Sequence, residues 1–122
     1  MVIQGSYVFS NAATAGSGGG ILHNGPSLRI EASAVTSNTA STTGAGLMAF
    51  NAPFFSALNS TFSGNQSVAG SVYAQISTGY LTYTTIASNT GVGLHIANGG
   101  LVSLRATLLA SNGSGNCLVS SA

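Results

Sequence analysis

The chain has 122 residues and a mass of 12.0 kDa, which is enough for one domain with one core. Only 2% of the residues are charged, namely Arg29, Glu31 and Arg105, and the formal net charge is +1. Nucleic-acid binding needs a basic surface and many hydrolases need paired carboxylates, so the composition argues against both functions.

The composition also bears on membranes, export and metals. No apolar run approaches the roughly 18 residues of a membrane-spanning helix, so we expect no membrane insertion by this segment. Residues 1–5 lack the basic segment and the apolar core of a signal peptide. One cysteine and two histidines with no common spacing predict neither a metal site nor a cofactor. Cys117 either has no role or pairs with a cysteine outside these 122 residues.

A pattern of 23 to 27 residues recurs along the chain and ends each time in asparagine. An apolar side chain lies three residues before each asparagine and another lies eight residues before it; one of these ten is alanine. A serine or threonine lies five residues before each asparagine. A glycine-rich step between successive asparagines leads into another apolar residue. The repeating asparagines are Asn11, Asn38, Asn65, Asn89 and Asn112. In chain order, the predicted strands centre on Ile3, Val8 and Ile21, then Ile30, Val35 and Leu47, then Ala57, Phe62 and Val72, then Leu81, Ile86 and Leu94, and finally Leu104 and Leu109.

Three short strands per unit, in units of similar length, predict an all-β fold, a right-handed parallel β-helix of about four to five coils. No segment has the i, i+3, i+4, i+7 apolar spacing of an amphipathic helix. Equivalent residues of successive coils should stack about 4.8 Å apart and form apolar rows inside one domain, residues 1–122. The domain is expected to be complete or a segment of a longer solenoid.

The asparagine row is expected to be a structural ladder. Asparagine tolerates the left-handed backbone conformation, and its amide can bond the same amide one coil away. The glycines before Ile21 and its equivalents should permit a tight corner that a Cβ would block.

Two features of the chain resemble known repeats. The sequence Gly-Gly-Gly-Ile at 18–21 and the apolar-x-x-Asn units ending at 38, 65, 89 and 112 resemble the paired repeats of polymorphic outer-membrane proteins. They are similar also to the right-handed β-helix repeats of secreted bacterial surface proteins, including autotransporter passengers. The resemblance implies an extracellular or cell-surface location and roles from adhesin to polysaccharide lyase to structural fibre. It also implies that a late cysteine such as Cys117 pairs with another further on.

Two groups of side chains are candidates for contact with other molecules. A possible ligand face for carbohydrate comprises Arg29, Glu31, Tyr80 and Arg105, with Arg29 and Glu31 expected to pair. An outward stripe that either packs under a loop or joins another chain comprises Leu22, Met48, Tyr73 and His95. His23 falls on the inward side of its strand and is expected to be a hydrogen-bonded corner residue. No catalytic group is predicted.

The pattern starts and stops in register, without an amphipathic or charged segment at either end. We therefore expect the ends to meet further coils, either of a longer solenoid or of other copies stacked end to end. The function predicted from the sequence is a non-enzymatic structural or adhesion protein. The alternatives are a carbohydrate-binding or polysaccharide-active module and, more remotely, an ice-binding protein. Ice binding is disfavoured because the position of Thr82 holds other residues in the other coils.

Overall fold

The computed structural model describes residues 1–121 and confirms the all-β parallel solenoid. Three sheets of five strands each run the length of the molecule, and every strand pair is parallel. Successive strands of the chain go to different sheets, so each coil contributes one strand to every sheet. The solenoid therefore has five coils, and residues 1–121 contain no helix.

The seventeen strands are short because each spans only one side of a coil. The first sheet contains β1 (Val2–Gln4), β5 (Leu28–Glu31), β9 (Phe55–Leu58), β12 (Thr78–Thr82) and β15 (Leu101–Arg105). The second contains β2 (Tyr7–Phe9), β6 (Ala34–Thr36), β10 (Thr61–Ser63), β13 (Thr85–Ala87) and β16 (Leu108–Ala110). The third contains β4 (Ile21–His23), β8 (Leu47–Phe50), β11 (Val72–Gln75), β14 (Val92–Ala97) and β17 (Gly115–Ser120). A small extra pair joins β3 (Ala12–Ala13) and β7 (Thr39–Ala40).

The register places equivalent residues of the repeats directly over one another. Val8 pairs with Val35, Val35 with Phe62, and Phe62 with Ile86. Corresponding rows run along the first and third sheets. Because alternate residues of a strand face opposite sides, these rows point inward and form one continuous core in which Phe62 has no exposed surface.

One inward row of the first sheet, which contains Leu28, Phe55 and Gly79, shows how the core adjusts its volume from coil to coil. Gly79 pairs with Phe55 of the preceding coil, and Phe55 is fully buried. A Cβ on Gly79 would lie 2.1 Å from Cζ of the Phe55 ring. The Phe55 ring thus takes the space of a side chain at position 79.

The backbone turns at the ends of strands, and here one expectation was wrong. The ladder asparagines do not adopt the left-handed conformation. The residue before each of them does, at Ser10, Ser37, Gly64, Ser88 and Ser111, with φ between 54° and 63°. The asparagine itself has resumed a normal conformation, which lets its side chain turn inward to the ladder. A second left-handed corner follows the third sheet, at Asn51, Ile76 and Asn98.

Candidate functional site

The five ladder asparagines form one hydrogen-bonded column. In each step the backbone N–H and the side-chain Nδ2 of one asparagine donate to Oδ1 of the asparagine one coil further on. These distances are 3.0 and 3.1 Å from Asn38 to Asn65, and 2.8 to 3.2 Å in the other steps. Asn38, Asn65 and Asn89 are buried, whereas Asn11 at the start of the column is exposed.

The second hydrogen of each Nδ2 is also used from Asn38 onward. It donates to a carbonyl oxygen of the preceding coil, for example from Asn38 to Val8 at 2.9 Å and from Asn65 to Val35 at 2.9 Å. Asn89 and Asn112 repeat the contact at 3.1 and 3.0 Å. A buried amide whose donors and acceptor are all engaged stabilises its surroundings and offers nothing to a ligand. The column is a structural feature.

Small residues line the column where the chain enters the third sheet. A Cβ on Gly20, Gly46 or Gly93 would lie 2.9, 3.1 or 2.5 Å from Nδ2 of the ladder asparagine one coil further on. None of these glycines has a positive φ. The glycines directly before Ile21, Leu47 and Leu94 therefore make room for the ladder. The tight corner expected of the glycine-rich steps lies slightly earlier in each step, at the left-handed residues Gly18, Gly44, Gly70 and Gly91.

The proposed ligand face lies on the outer side of the first sheet, but its residues do not come together in one group. Arg29 and Glu31 are joined by a hydrogen-bonded ion pair. Tyr80 lies two coils away in the column of Arg29. The Tyr80 ring centroid is 5.7 Å from that of Phe54, which is also exposed. Arg105 lies in the last coil and forms no ion pair among residues 1–121.

Phe54 is a residue of this face that the sequence interpretation missed. The signal was available, because Phe55 belongs to an inward row and its neighbour in an extended strand must then face outward. The same face carries no rank of threonines, since Thr82 lies between Leu58 and Arg105. On the second sheet, Thr61 and Thr85 are neighbours.

Three of the four side chains in the outward stripe of the third sheet are covered. Leu22 is 60% exposed, but Met48, Tyr73 and His95 are buried. The segments that follow the ladder asparagines fold back over the sheet: the Thr43 hydroxyl donates to Sδ of Met48 at 3.6 Å. Gly70 lies against Tyr73 and His95 in the same way. Of the two alternatives left open by the sequence, packing under a loop is the one that the structure shows for these three side chains.

The two histidines are both buried. His23 points inward in β4, and its Nε2 has no hydrogen-bond partner, so the expectation of a hydrogen-bonded corner residue was wrong for this atom. Nε2 of His95 lies 2.8 Å from the Ser120 hydroxyl, whereas its Nδ1 is buried without a partner. Burial lowers the pKa of His95. A serine–histidine pair needs a third group on Nδ1 to orient the ring for catalysis, and His95 has none among the described residues.

The remaining reactive groups lie apart. Cys117 is exposed and unpaired within residues 1–121. In the same part of the chain, no three side chains from His, Cys, Asp and Glu come together in a way that would hold a metal ion. No helix of the described residues has the length and apolar character to cross a bilayer.

The two terminal coils differ from the rest because each of their strands has a neighbour on one side only. Leu104 is 45% exposed, although its equivalent Leu81 one coil earlier is fully buried. Val119 is 70% exposed, against 8% for its equivalent Ile96. The apolar rows therefore end in contact with solvent at the last coil, whereas Ile21 of the first coil is buried.

Comparison of the chain with protein-family models, with curated proteins and with solved structures found no match.

Proposed function

We propose that the protein is a non-enzymatic structural β-solenoid, a scaffold that is lengthened by coils stacking on its ends. The observation that carries the proposal is the open end of the core at the last coil, where Leu104 and Val119 face solvent in rows that are otherwise buried. Unpaired strands over an exposed apolar core favour the addition of another coil. The added coil belongs to a longer chain or to a second copy.

The low charge of the surface supports the same role. With two cationic side chains and one anionic side chain in 122 residues, adjoining coils meet with little repulsion. Glu31, the single carboxylate side chain of the sequence, is held by Arg29, which supports a function without acid–base chemistry. The resemblance of the repeats to bacterial surface proteins supports an extracellular or cell-surface, adhesin-like setting for the scaffold.

Sedimentation velocity of the 122-residue protein over a hundredfold range of concentration tests the proposal. We expect the mean sedimentation coefficient to rise with concentration, and negative-stain images of concentrated samples to show rods longer than five coils. Monodisperse monomers at all concentrations would contradict the stacking of copies and leave only the form of the proposal in which the coils continue in a longer chain.

A second candidate function, carbohydrate binding, is favoured by one observation. Phe54 and Tyr80 place two exposed rings side by side on the outer side of the first sheet. The rings offer apolar surface, and the Tyr80 hydroxyl adds a hydrogen-bonding group. Arg29 and Glu31 in the same sheet supply hydrogen-bonding groups. Binding to an immobilised glycan panel should be saturable and should be lost in Tyr80→Ala. The matched control is Tyr83→Ala, which removes an exposed ring that belongs to none of the ring pairs among the described residues.

A further inference from the structure

The asparagine ladder has a direction and ends differently at its two ends. In the contacts between asparagines, Asn11, Asn38, Asn65 and Asn89 each donate to Oδ1 of the asparagine in the next coil toward the C-terminus. Asn11 in the first coil donates to Asn38, while no donor within residues 1–121 reaches its exposed Oδ1. The N-terminal end of the column is therefore an open acceptor.

The C-terminal end of the column is closed by a residue outside the repeat. Both the backbone N–H and Nδ2 of Asn112 donate to Oδ1 of Asn116, at 3.2 and 3.0 Å. Asn116 lies only four residues further on, in the same coil. Its amide oxygen takes the place that the asparagine of a sixth coil would occupy.

The position of Asn116 in the repeat explains how its side chain reaches the end of the ladder. Its neighbours in the chain pair with Val92 and Leu94, so Asn116 stands opposite Gly93, in the column of Gly20 and Gly46. Three of the four earlier coils have glycine in this column, and the third has Ser71. The glycines leave room for the ladder asparagine of the next coil. At Asn116 that room is filled by the residue's own side chain.

The inward apolar rows of the first and second sheets are complementary at the two ends. If the first coil of a second copy lay on the last coil in register, Leu104 would meet Ile3 and Leu109 would meet Val8. These rows would then be apolar throughout, because Ile3, Val8 and Leu109 are the partly buried ends of the core. The donors of Asn112 would meet the open acceptor of Asn11.

Charge does not decide the contact. Arg105, which forms no ion pair among the described residues, lies in the last coil on the column that begins with Gln4 and Glu31. In the stack, Arg105 would lie over the neutral Gln4, and Glu31 of the second copy, two coils or about 10 Å away, is already paired with Arg29. The Met1 ammonium of the first coil donates to the carbonyl oxygen of Ser27. The ladder and the apolar rows therefore carry the contact.

We propose that this surface binds a second copy of the chain head to tail, and that Asn116 gates the contact by occupying the ladder position that Asn11 of the second copy would take. This inference rests on the proposed function and adds the direction in which copies stack and the residue that controls the contact. Stacking requires the Asn116 side chain to leave Asn112, and the two hydrogen bonds so lost are regained with Asn11.

The test compares self-association of variants at position 116 by sedimentation velocity at low salt. Asn116→Gly and Asn116→Ser introduce the residues that this column holds elsewhere. Because neither variant has two hydrogen bonds to give up, we expect head-to-tail association about tenfold tighter than in the wild type. Asn116→Asp is the matched control: its carboxylate still accepts from Asn112 and remains in the way, so its association should be no tighter than that of the wild type. Far-UV circular dichroism verifies folding, and Asn116→Ser keeps the test valid if the glycine variant unfolds.

A double variant tests the direction of the contact. Adding Asn11→Leu to Asn116→Gly removes the acceptor at the opposite end and should reverse the gain. A gain that survives this change would overturn the head-to-tail arrangement. If the wild type associates and both Asn116→Gly and Asn116→Ser associate no more tightly, the gate is refuted while the proposed function stands. If no variant associates, both the gate and the stacking of copies are refuted.

Discussion

Replacement of a central ladder asparagine tests the energetic role of the column most directly. The Asn65 side chain accepts two hydrogen bonds from Asn38 and donates to Val35, Ser71 and Asn89. Asn65→Leu keeps the approximate volume and removes all five. The buried N–H of Asn38 and the carbonyl of Val35 then lose their ladder partner. At about 1–3 kcal/mol for each buried polar group left without a partner, the loss is about 2–6 kcal/mol. This is a large share of the roughly 5–15 kcal/mol that stabilises an ordinary domain.

The first rung of the same ladder provides the control. Asn11 is exposed, so water can replace the hydrogen bonds that its side chain makes to Asn38 and Phe9. Asn11→Leu should therefore lower the free energy of unfolding by about 1 kcal/mol or less. Urea-induced unfolding followed by far-UV circular dichroism measures both variants. Equal losses at Asn65 and Asn11 would refute the argument, because they would mean that burial along the column does not decide the strength of the ladder.

Four further predictions concern the core, one corner and one histidine. Phe62→Ala should destabilise the protein by about 3–5 kcal/mol in urea unfolding, because it leaves a cavity in the middle of the core; a silent substitution would contradict an interior position. Gly79→Ala should cost about 1–3 kcal/mol through its clash with the Phe55 ring, and Phe55→Leu in the same chain should recover part of the loss in a double-mutant cycle. Ile76→Asn should raise stability by about 1 kcal/mol, since the β-branched Ile76 has a φ of 50° at a corner where the neighbouring coils have asparagine; a lower melting temperature would argue against strain there. Burial lowers the pKa of His95, so the folded protein binds a proton on this ring more weakly than the unfolded chain does. The free energy of unfolding should therefore be highest above pH about 6.5 and should fall as the pH drops toward the lowered pKa. His95→Gln should flatten this dependence between pH 8 and pH 5, and an unchanged slope would assign it to another group.

The ladder and the outward stripe show how far the sequence pattern could be taken. Residues on the strands were placed correctly because strand side chains alternate between two faces and the repeat length aligns equivalent strands. Met48 and Tyr73 face outward as the alternation requires, yet they are buried. What covers them is the path of the segments after the asparagines, and those segments differ in length from coil to coil. When a side chain is covered by another segment of the chain, no periodic pattern in the sequence records it.

Asn116 and the Phe54–Tyr80 pair illustrate the same limit for the candidate sites. Asn116 lies outside the 23-to-27-residue spacing, so its role in ending the ladder emerges only once its register opposite Gly93 is known. The contact of Phe54 with Tyr80 depends on which residues of neighbouring coils lie side by side. Likewise, the sequence offers no indication that His95 and Ser120 approach to 2.8 Å.

From the sequence alone one can derive a parallel solenoid with inward apolar rows and an asparagine column, because each of these features depends on local alternation repeated at a nearly constant interval. The tertiary structure decided which outward side chains are covered, which residue adopts the left-handed corner and how each end of the ladder is completed. These depend on contacts between segments of unequal length, and the free energy of such contacts is determined by the distances between atoms of different coils.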